Sequence, residues 1–170
     1  CPLMEIELKE VTKKFGRTKA LQDVSAEFGP GELVAVLGLN GAGKSTMLRI
    51  LGGRIPPSKG KLIINGQPFR RDQLDVRREM FLLDDLSPSG EPPLRSLGVY
   101  LRHYQRLEQD GIAERAVDLL QMFDLAEKAT TPYHALSRGQ QFKSELVLLC
   151  AIQPQLWLVD EPFASGMDAK

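Results

Sequence analysis

Gly38-Leu39-Asn40-Gly41-Ala42-Gly43-Lys44-Ser45-Thr46 sets a lysine and two hydroxyls directly behind a run broken by three glycines. The spacing, a glycine, four residues, then Gly-Lys-Ser, suits a loop whose backbone N–H groups turn inward as an anion nest. Just upstream, residues 33–37 (L-V-A-V-L) form a continuous apolar run, as expected of a parallel strand covered on both faces. Just downstream, residues 45–51 carry a helical pattern that Gly52 and Gly53 stop. Strand, glycine loop and helix make the first unit of an α/β fold. In that setting Gly38, Asn40, Gly41, Ala42, Gly43 and Thr46 shape a phosphate cradle. Lys44 reaches β- and γ-phosphates as a point charge, and the Ser45 hydroxyl is placed to ligate Mg²⁺. The new helix adds its positive end. A glycine-rich turn with an accidental lysine would explain the loop but not the strand before it and the helix after it.

Toward the N-terminus, Met4, Ile6 and Leu8 alternate with Glu5, Glu7 and Lys9, and Val24, Ala26 and Phe28 repeat the period, which predicts half-buried strands. Gly29-Pro30-Gly31 turns the chain, and residues 62–64 before Asn65-Gly66 read as a hairpin arm. Toward the C-terminus, residues 87–93 (S-P-S-G-E-P-P) are rich in breakers and read as a subdomain hinge. Leu97, Tyr100, Leu101 and Tyr104 keep helical spacing, as do Ile112, Ala116, Leu119, Leu120 and Phe123. Another apolar helix is expected over residues 142–152. Residues 156–159 (L-W-L-V) then read as a second buried strand that delivers Asp160 and Glu161 at its C-terminal end, the edge where open α/β sheets bind ligands. Asp160 would hold Mg²⁺ through water. Glu161 would orient or deprotonate an attacking water.

The bulk numbers fit this picture. At 170 residues and 42% hydrophobic, the chain can bury a substantial core. Lys plus Arg and Asp plus Glu are 22 each, so no overall field draws it to nucleic acid or an anionic membrane, and no nucleic-acid partner is expected. The longest apolar run, residues 146–152, falls far short of the roughly 20 residues that cross a bilayer. Two distant cysteines make no disulfide framework, which points to a reducing cytosol. Met4 is read as the natural start.

Between the loop and the acidic pair lies Leu136-Ser137-Arg138-Gly139-Gln140. Together these elements resemble the ATP-binding cassette (ABC) family over essentially the whole chain. The resemblance implies a phosphate-loop NTPase core, α/β and mostly parallel, with an N-terminal antiparallel β subdomain and a helical subdomain. It assigns residues 1–86 to the first part of the core, 87–152 to the helical subdomain and 153–170 to the Asp-Glu strand and the loop after it. It implies that ATP and Mg²⁺ are bound and that Ser137, Gly139 and Gln140 close over the γ-phosphate held by a partner subunit. A hydroxyl, an N–H group and a helix N-terminus suit that anion, although a serine and glycine capping a helix would look the same. Phe15 falls where the family stacks an aromatic on adenine. Ser165-Gly166-Met167-Asp168 resembles the loop that crosses the dimer interface, and Pro162-Phe163 the usual continuation of the acidic pair.

Two departures stand out. Where the family has a glutamine touching Mg²⁺ and water, this sequence has Asp84, or Asp85 with a one-residue slip. A carboxylate still reaches the metal but adds negative charge beside phosphates. The histidine that contacts the γ-phosphate in the family has no counterpart: His103 and His134 are elsewhere and read as surface or packing residues. The sequence therefore reads as a fragment or truncated product. Arg70-Arg71 and Arg77-Arg78, near Asp72 and Asp75, read as a self-neutralising solvated face.

The resemblance implies the ATP-hydrolysing subunit of a membrane transporter, cytoplasmic and peripheral on the inner face of the cell membrane. Its partners would be a second nucleotide-binding subunit and a separate transmembrane subunit. Residues 143–146 and the following leucines lean toward export-type cassettes. A soluble ABC ATPase of translation or DNA maintenance, or a non-hydrolysing nucleotide-binding module, would share the same loop.

Overall fold

The computed structural model describes residues 4–82 and 111–160. The chain divides into two compact units, Cys1–Leu82 and Leu83–Lys170.

In the first unit the alternating N-terminal segments become β1 (Ile6–Phe15) and β2 (Thr18–Phe28), an antiparallel pair with Ile6 opposite Phe28 and Phe15 opposite Thr18. β3 (Lys59–Ile64) pairs antiparallel with the other edge of β1, Leu8 facing Leu62, and β4 (Gln67–Pro68) completes the order β2-β1-β3-β4. Asn65 and Gly66, both at positive φ, make the predicted two-residue turn between β3 and β4. One face of this sheet buries Ile6, Leu8, Val11, Leu62 and Ile64, which is why the apolar residues sit at period two.

The strands are bulged. Register shifts in β1 fall between Leu8 and Val11 and between Lys9 and Thr12, where Glu10 takes a positive φ. Side chains satisfy the backbone groups that this frees: Ser25 Oγ accepts from Glu10 N at 3.0 Å, and Thr12 Oγ1 accepts from Asp23 N at 3.1 Å. Gly60 faces the bulge at φ +77°, and a Cβ there would lie 2.3 Å from the Glu10 carbonyl oxygen. Only glycine fits.

The first unit also holds α1 (Lys44–Leu51), which buries Leu48, Ile50 and Leu51, a short α2 (Leu74–Arg78) and a fully buried β5 (Met80–Leu82). Two of the four arginines of the cluster pair with acids, Arg70 with Asp72 at 2.8 Å and Arg78 with Asp75 at 3.0 Å, while Arg77 donates to the Arg71 carbonyl at 3.4 Å. The Arg70 hydrogen bond holds the Asp72 carboxyl below its ordinary value.

Residues 33–37 depart from the expected buried strand. They form no strand, and Leu33 and Leu37 are about fully exposed at 101% and 90%. The reason is physical. An apolar strand is buried only by the ladders and layers on either side of it, and among the described residues none hydrogen bonds to this run as a strand.

In the second unit α3 (Ile112–Met122) buries Ile112, Ala116 and Leu120 at the predicted spacing. It ends in a Schellman turn: Asp124 takes a positive φ, and Leu125 N donates to Leu120 O at 2.7 Å. α4 (Arg138–Ile152) starts four residues before the expected 142, so the Leu136-to-Gln140 motif is itself the helix start. The two helices pack against each other, and each sends a cation to the C-terminal end of the other. Arg115 on α3 gives two hydrogen bonds of 3.1 Å to the Ala151 carbonyl, and Lys143 on α4 donates to the Phe123 carbonyl at 3.1 Å. Both pairs put positive charge where a helix dipole is negative, which fixes the helices as antiparallel neighbours.

β6 (Leu156–Leu158) is the second apolar strand, shorter than the predicted 156–159. Leu158 is buried, but Trp157 and Val159 are exposed, and the Trp157 indole N–H donates to the Pro154 carbonyl at 2.8 Å. The expected hinge at 87–93, the helix through Tyr104 and His103 lie outside the described residues. His134 is exposed.

Candidate nucleotide site

The glycine loop is shaped by close packing as much as by its own flexibility. Gly43 caps α1 at φ 91°, and a Cβ there would lie 2.3 Å from the Ala20 carbonyl oxygen and 2.9 Å from the Leu21 side chain. β2 thus presses on the loop where it enters the helix. Ala42 N donates to Leu39 O at 3.1 Å, closing the turn, and Met47 N donates to Gly43 O at 2.9 Å, starting the helical ladder. The Lys44 ammonium donates to the carbonyls of Gly38 at 2.9 Å and Leu39 at 3.1 Å, so it is held across the mouth of the loop. Ser45 and Thr46 follow in the first turn, half-buried. Gly38, Asn40, Gly41 and Ala42 are exposed and open to a ligand.

Packing at Gly43 also brings up the β1–β2 hairpin. Phe15 ends β1 opposite Thr18, two residues before Ala20. Phe15 is 52% exposed, which excludes a core role and leaves a surface on which a base can stack. Lys13, which sequence reasoning did not single out, lies over that ring with its Nζ 5.2 Å from the centroid and donates to the Pro56 carbonyl at 2.6 Å. The cation steadies the ring from one side.

In the second unit Ser137 caps α4 in a reciprocal box: its Oγ accepts from Gln140 N at 3.3 Å, and Gln140 Oε1 accepts from Ser137 N at 2.9 Å. The capping alternative is therefore realised in the structure. It does not remove the hydroxyl from anion binding, because as a cap Ser137 uses a lone pair and keeps its proton to donate. Gly139, at the second helical position, has an N–H with no partner in the helical ladder. Asp160 follows β6 and is half-buried. Glu161, Asp84, Asp85, Pro162, Phe163 and Ser165 to Asp168 lie outside the described residues.

The residues offered for Mg²⁺ are hard oxygen donors, the Ser45 hydroxyl and the Asp160 and Asp84 carboxylates, which is the chemistry that ion takes. Among the described residues no group of three or more His, Cys, Asp or Glu is gathered to hold a metal.

A glycine loop, its lysine and the helix it opens define a phosphate-loop protein of the α/β class. The sequence matches the family described as ABC transporter over residues 21–164, and the chain belongs to that family. It is 34% identical over 170 residues to the sulfate/thiosulfate import ATP-binding protein CysA of Synechocystis sp., covering 98% of this chain and 47% of that protein. It is 33% identical over 187 residues to CysA of Pseudomonas aeruginosa, covering 98% and 52%. The chain spans about half the length of the curated relatives it matches. Among solved structures, an ATP-binding cassette in a dimeric post-hydrolysis state bound to ADP and Pi superposes with a TM-score of 0.78 at 29% identity, over 94% of this chain and 75% of that one. The ATP-binding subunit of an ABC transporter gives 0.77 at 27%, over 94% and 67%. The phosphate-loop fold with its antiparallel N-terminal sheet and helical part is thus the cassette fold.

Proposed function

We propose that the chain is the ATP-binding and ATP-hydrolysing part of an ABC membrane transporter, working as a dimer that closes on ATP. The observation that carries this reading is the loop itself: Gly43 wedged against β2, Lys44 held across the mouth and Phe15 presented by the same hairpin. In this reading Phe15 stacks on adenine. The N–H groups of residues 41–46 and the Lys44 ammonium take the phosphates, trading the Gly38 and Leu39 carbonyls for ligand oxygens. Ser45 and Asp160 hold Mg²⁺, with Asp84 at the position of the family's glutamine. The ion, when bound, neutralises charge on the phosphate oxygens. Glu161 orients the attacking water and accepts its proton. Ser137 and Gly139, with Gln140 fixing the cap, receive the γ-phosphate of the nucleotide held by a second subunit.

No helix among the described residues is long and apolar enough to cross a membrane. A separate transmembrane subunit would select the transported molecule, and this chain would lie against it on the cytoplasmic face. The two curated relatives described above, each matched over 98% of this chain, are import ATP-binding proteins. We therefore favour import over the export-type leaning of residues 143–146.

The test is Glu161→Gln beside the unchanged protein, followed by nucleotide titration and phosphate release. ATP should still bind, and turnover should fall at least ~10²-fold. Turnover at the parental rate removes Glu161 from the chemistry, and no ATP binding by the unchanged protein removes the proposal.

A further inference from the structure

Capping explains why α4 starts at Ser137 but not why the chain enters it from one fixed direction. The preceding turn supplies that restraint. Residues Tyr133–Ala135 form a single 3-10 turn, and the Tyr133 carbonyl accepts two hydrogen bonds, from Leu136 N at 3.1 Å and from the Gln141 side-chain Nε2 at 2.9 Å. The Tyr133 hydroxyl reaches further along the helix and donates to Glu145 Oε1. Ser137, Gln141 and Glu145 are four residues apart in turn, so they stand in one row on α4. Tyr133 lies along that row and is bonded to its second and third members, while the first is the serine that the proposed function turns toward a γ-phosphate. Leu136, between them, is buried.

We propose that Tyr133, Gln141 and Glu145 form a clasp that sets the position of the Ser137 hydroxyl and the Gly139 amide at the start of α4, and so governs how this helix end receives a γ-phosphate. Their role in hydrolysis rests on the dimeric ATPase reading above. They are positioning residues and touch no nucleotide. Chemistry supports the pairing: burial pushes the Tyr133 hydroxyl further above its ordinary titration range, so at neutral pH it keeps the proton that it donates. The same burial pushes the Glu145 carboxyl up, against the smaller opposite effect of the Tyr133 bond. A half-buried acceptor of this kind is expensive to leave unpaired.

Two measurements test the clasp. In hydrogen exchange, Tyr133→Phe should release the Leu136 and Gln141 amides about tenfold faster, the change equivalent to one lost hydrogen bond, with α3 unaffected. Glu145→Gln, which keeps an acceptor, should retain protection that Glu145→Ala loses. Unchanged exchange, or equal acceleration throughout α3 and α4, overturns the clasp. The second measurement uses mixed dimers in which one chain carries Lys44→Ala. With Tyr133→Phe on that same chain, the remaining nucleotide faces the altered helix end, and kcat should fall severalfold at unchanged KM. With Tyr133→Phe on the opposite chain, it faces an intact one and turnover should be spared. Equal rates in the two arrangements overturn the positioning role. If the unchanged protein hydrolyses no ATP, the dimeric ATPase reading fails, and exchange alone decides the clasp.

Discussion

The phosphate loop of the first unit and the Ser137 helix end of the second, the two places that the proposed function turns toward phosphate, are held in shape by different means. At the loop the restraint is backbone. Gly43 sits at a left-handed φ with no room for a Cβ, β2 presses against it, and Lys44 bonds to main-chain carbonyls. At the helix end the restraint is side chain to side chain and side chain to backbone: the Ser137–Gln140 box, Gln141 on the Tyr133 carbonyl and Tyr133 on Glu145. A backbone-made cradle fails outright when one residue is wrong, because no L side chain adopts its geometry cheaply. A side-chain-made one degrades by steps, each about the size of one hydrogen bond.

The largest expected effect therefore belongs to the loop. Lys44→Ala should abolish nucleotide binding, since it removes the cation held across the cradle while the phosphates must still be desolvated. Titration with a fluorescent ATP analogue measures this, and unchanged affinity would place the site elsewhere. Gly43→Ala comes next. The left-handed backbone alone costs about 1–2 kcal/mol for a residue with a Cβ, and the Ala20 carbonyl stands where that Cβ would go. A lower melting temperature should accompany loss of nucleotide binding. A variant as stable as the parent, with intact binding, would show that β2 does not set the loop.

Effects at the helix end should be smaller. Ser137→Ala removes the cap acceptor and should lower stability by about 1 kcal/mol, read from the denaturation midpoint. Own-nucleotide affinity should be unchanged and turnover reduced. A loss of affinity equal to that of Lys44→Ala would erase the contrast between the two regions.

The smallest effect is a pH dependence at Glu145. Its carboxyl is raised in the folded state, chiefly by burial, so the folded chain binds that proton more tightly than the unfolded chain. The associated stability is present at low pH and is lost as pH climbs through the folded value. Glu145→Gln keeps the acceptor but cannot ionise. The melting temperature of the parent minus that of this variant should accordingly fall as pH rises from the ordinary carboxylate range toward neutrality. A difference that grows with pH would reverse the sign of the argument.

Much of the site was legible because its chemistry is local. The spacing Gly38 to Ser45 implies a cradle, and the structure shows the turn, the cap and the lysine in it. Alternation at Ile6 and Leu8 gave half-buried strands and the Asn65-Gly66 pair a hairpin arm, since period-two burial and a two-residue turn are decided within a few residues. The antiparallel N-terminal sheet as a whole was implied by the family resemblance. The clasp was harder to see. Ser137, Gln141 and Glu145 do carry a spacing of four, but nothing in the sequence says that Tyr133, ahead of the helix, folds back along them. Lys13 over Phe15 depends likewise on Pro56 arriving from a different part of the chain.

Residues 33–37 mark where the sequence stops being sufficient. Their apolar run specifies that they avoid water, but not which neighbours exclude it, because burial of a strand is a property of the layers around it. The sequence by itself determined the conformations that one residue and its near neighbours impose: glycines at positive φ, the helix after Gly43, the capping box at Ser137. Tertiary structure alone decided which carbonyl blocks a Cβ at Gly43, which cation closes each helix end and which hydroxyl meets Glu145. Those contacts join residues far apart in the chain or across a turn, and their geometry exists only once the elements have packed.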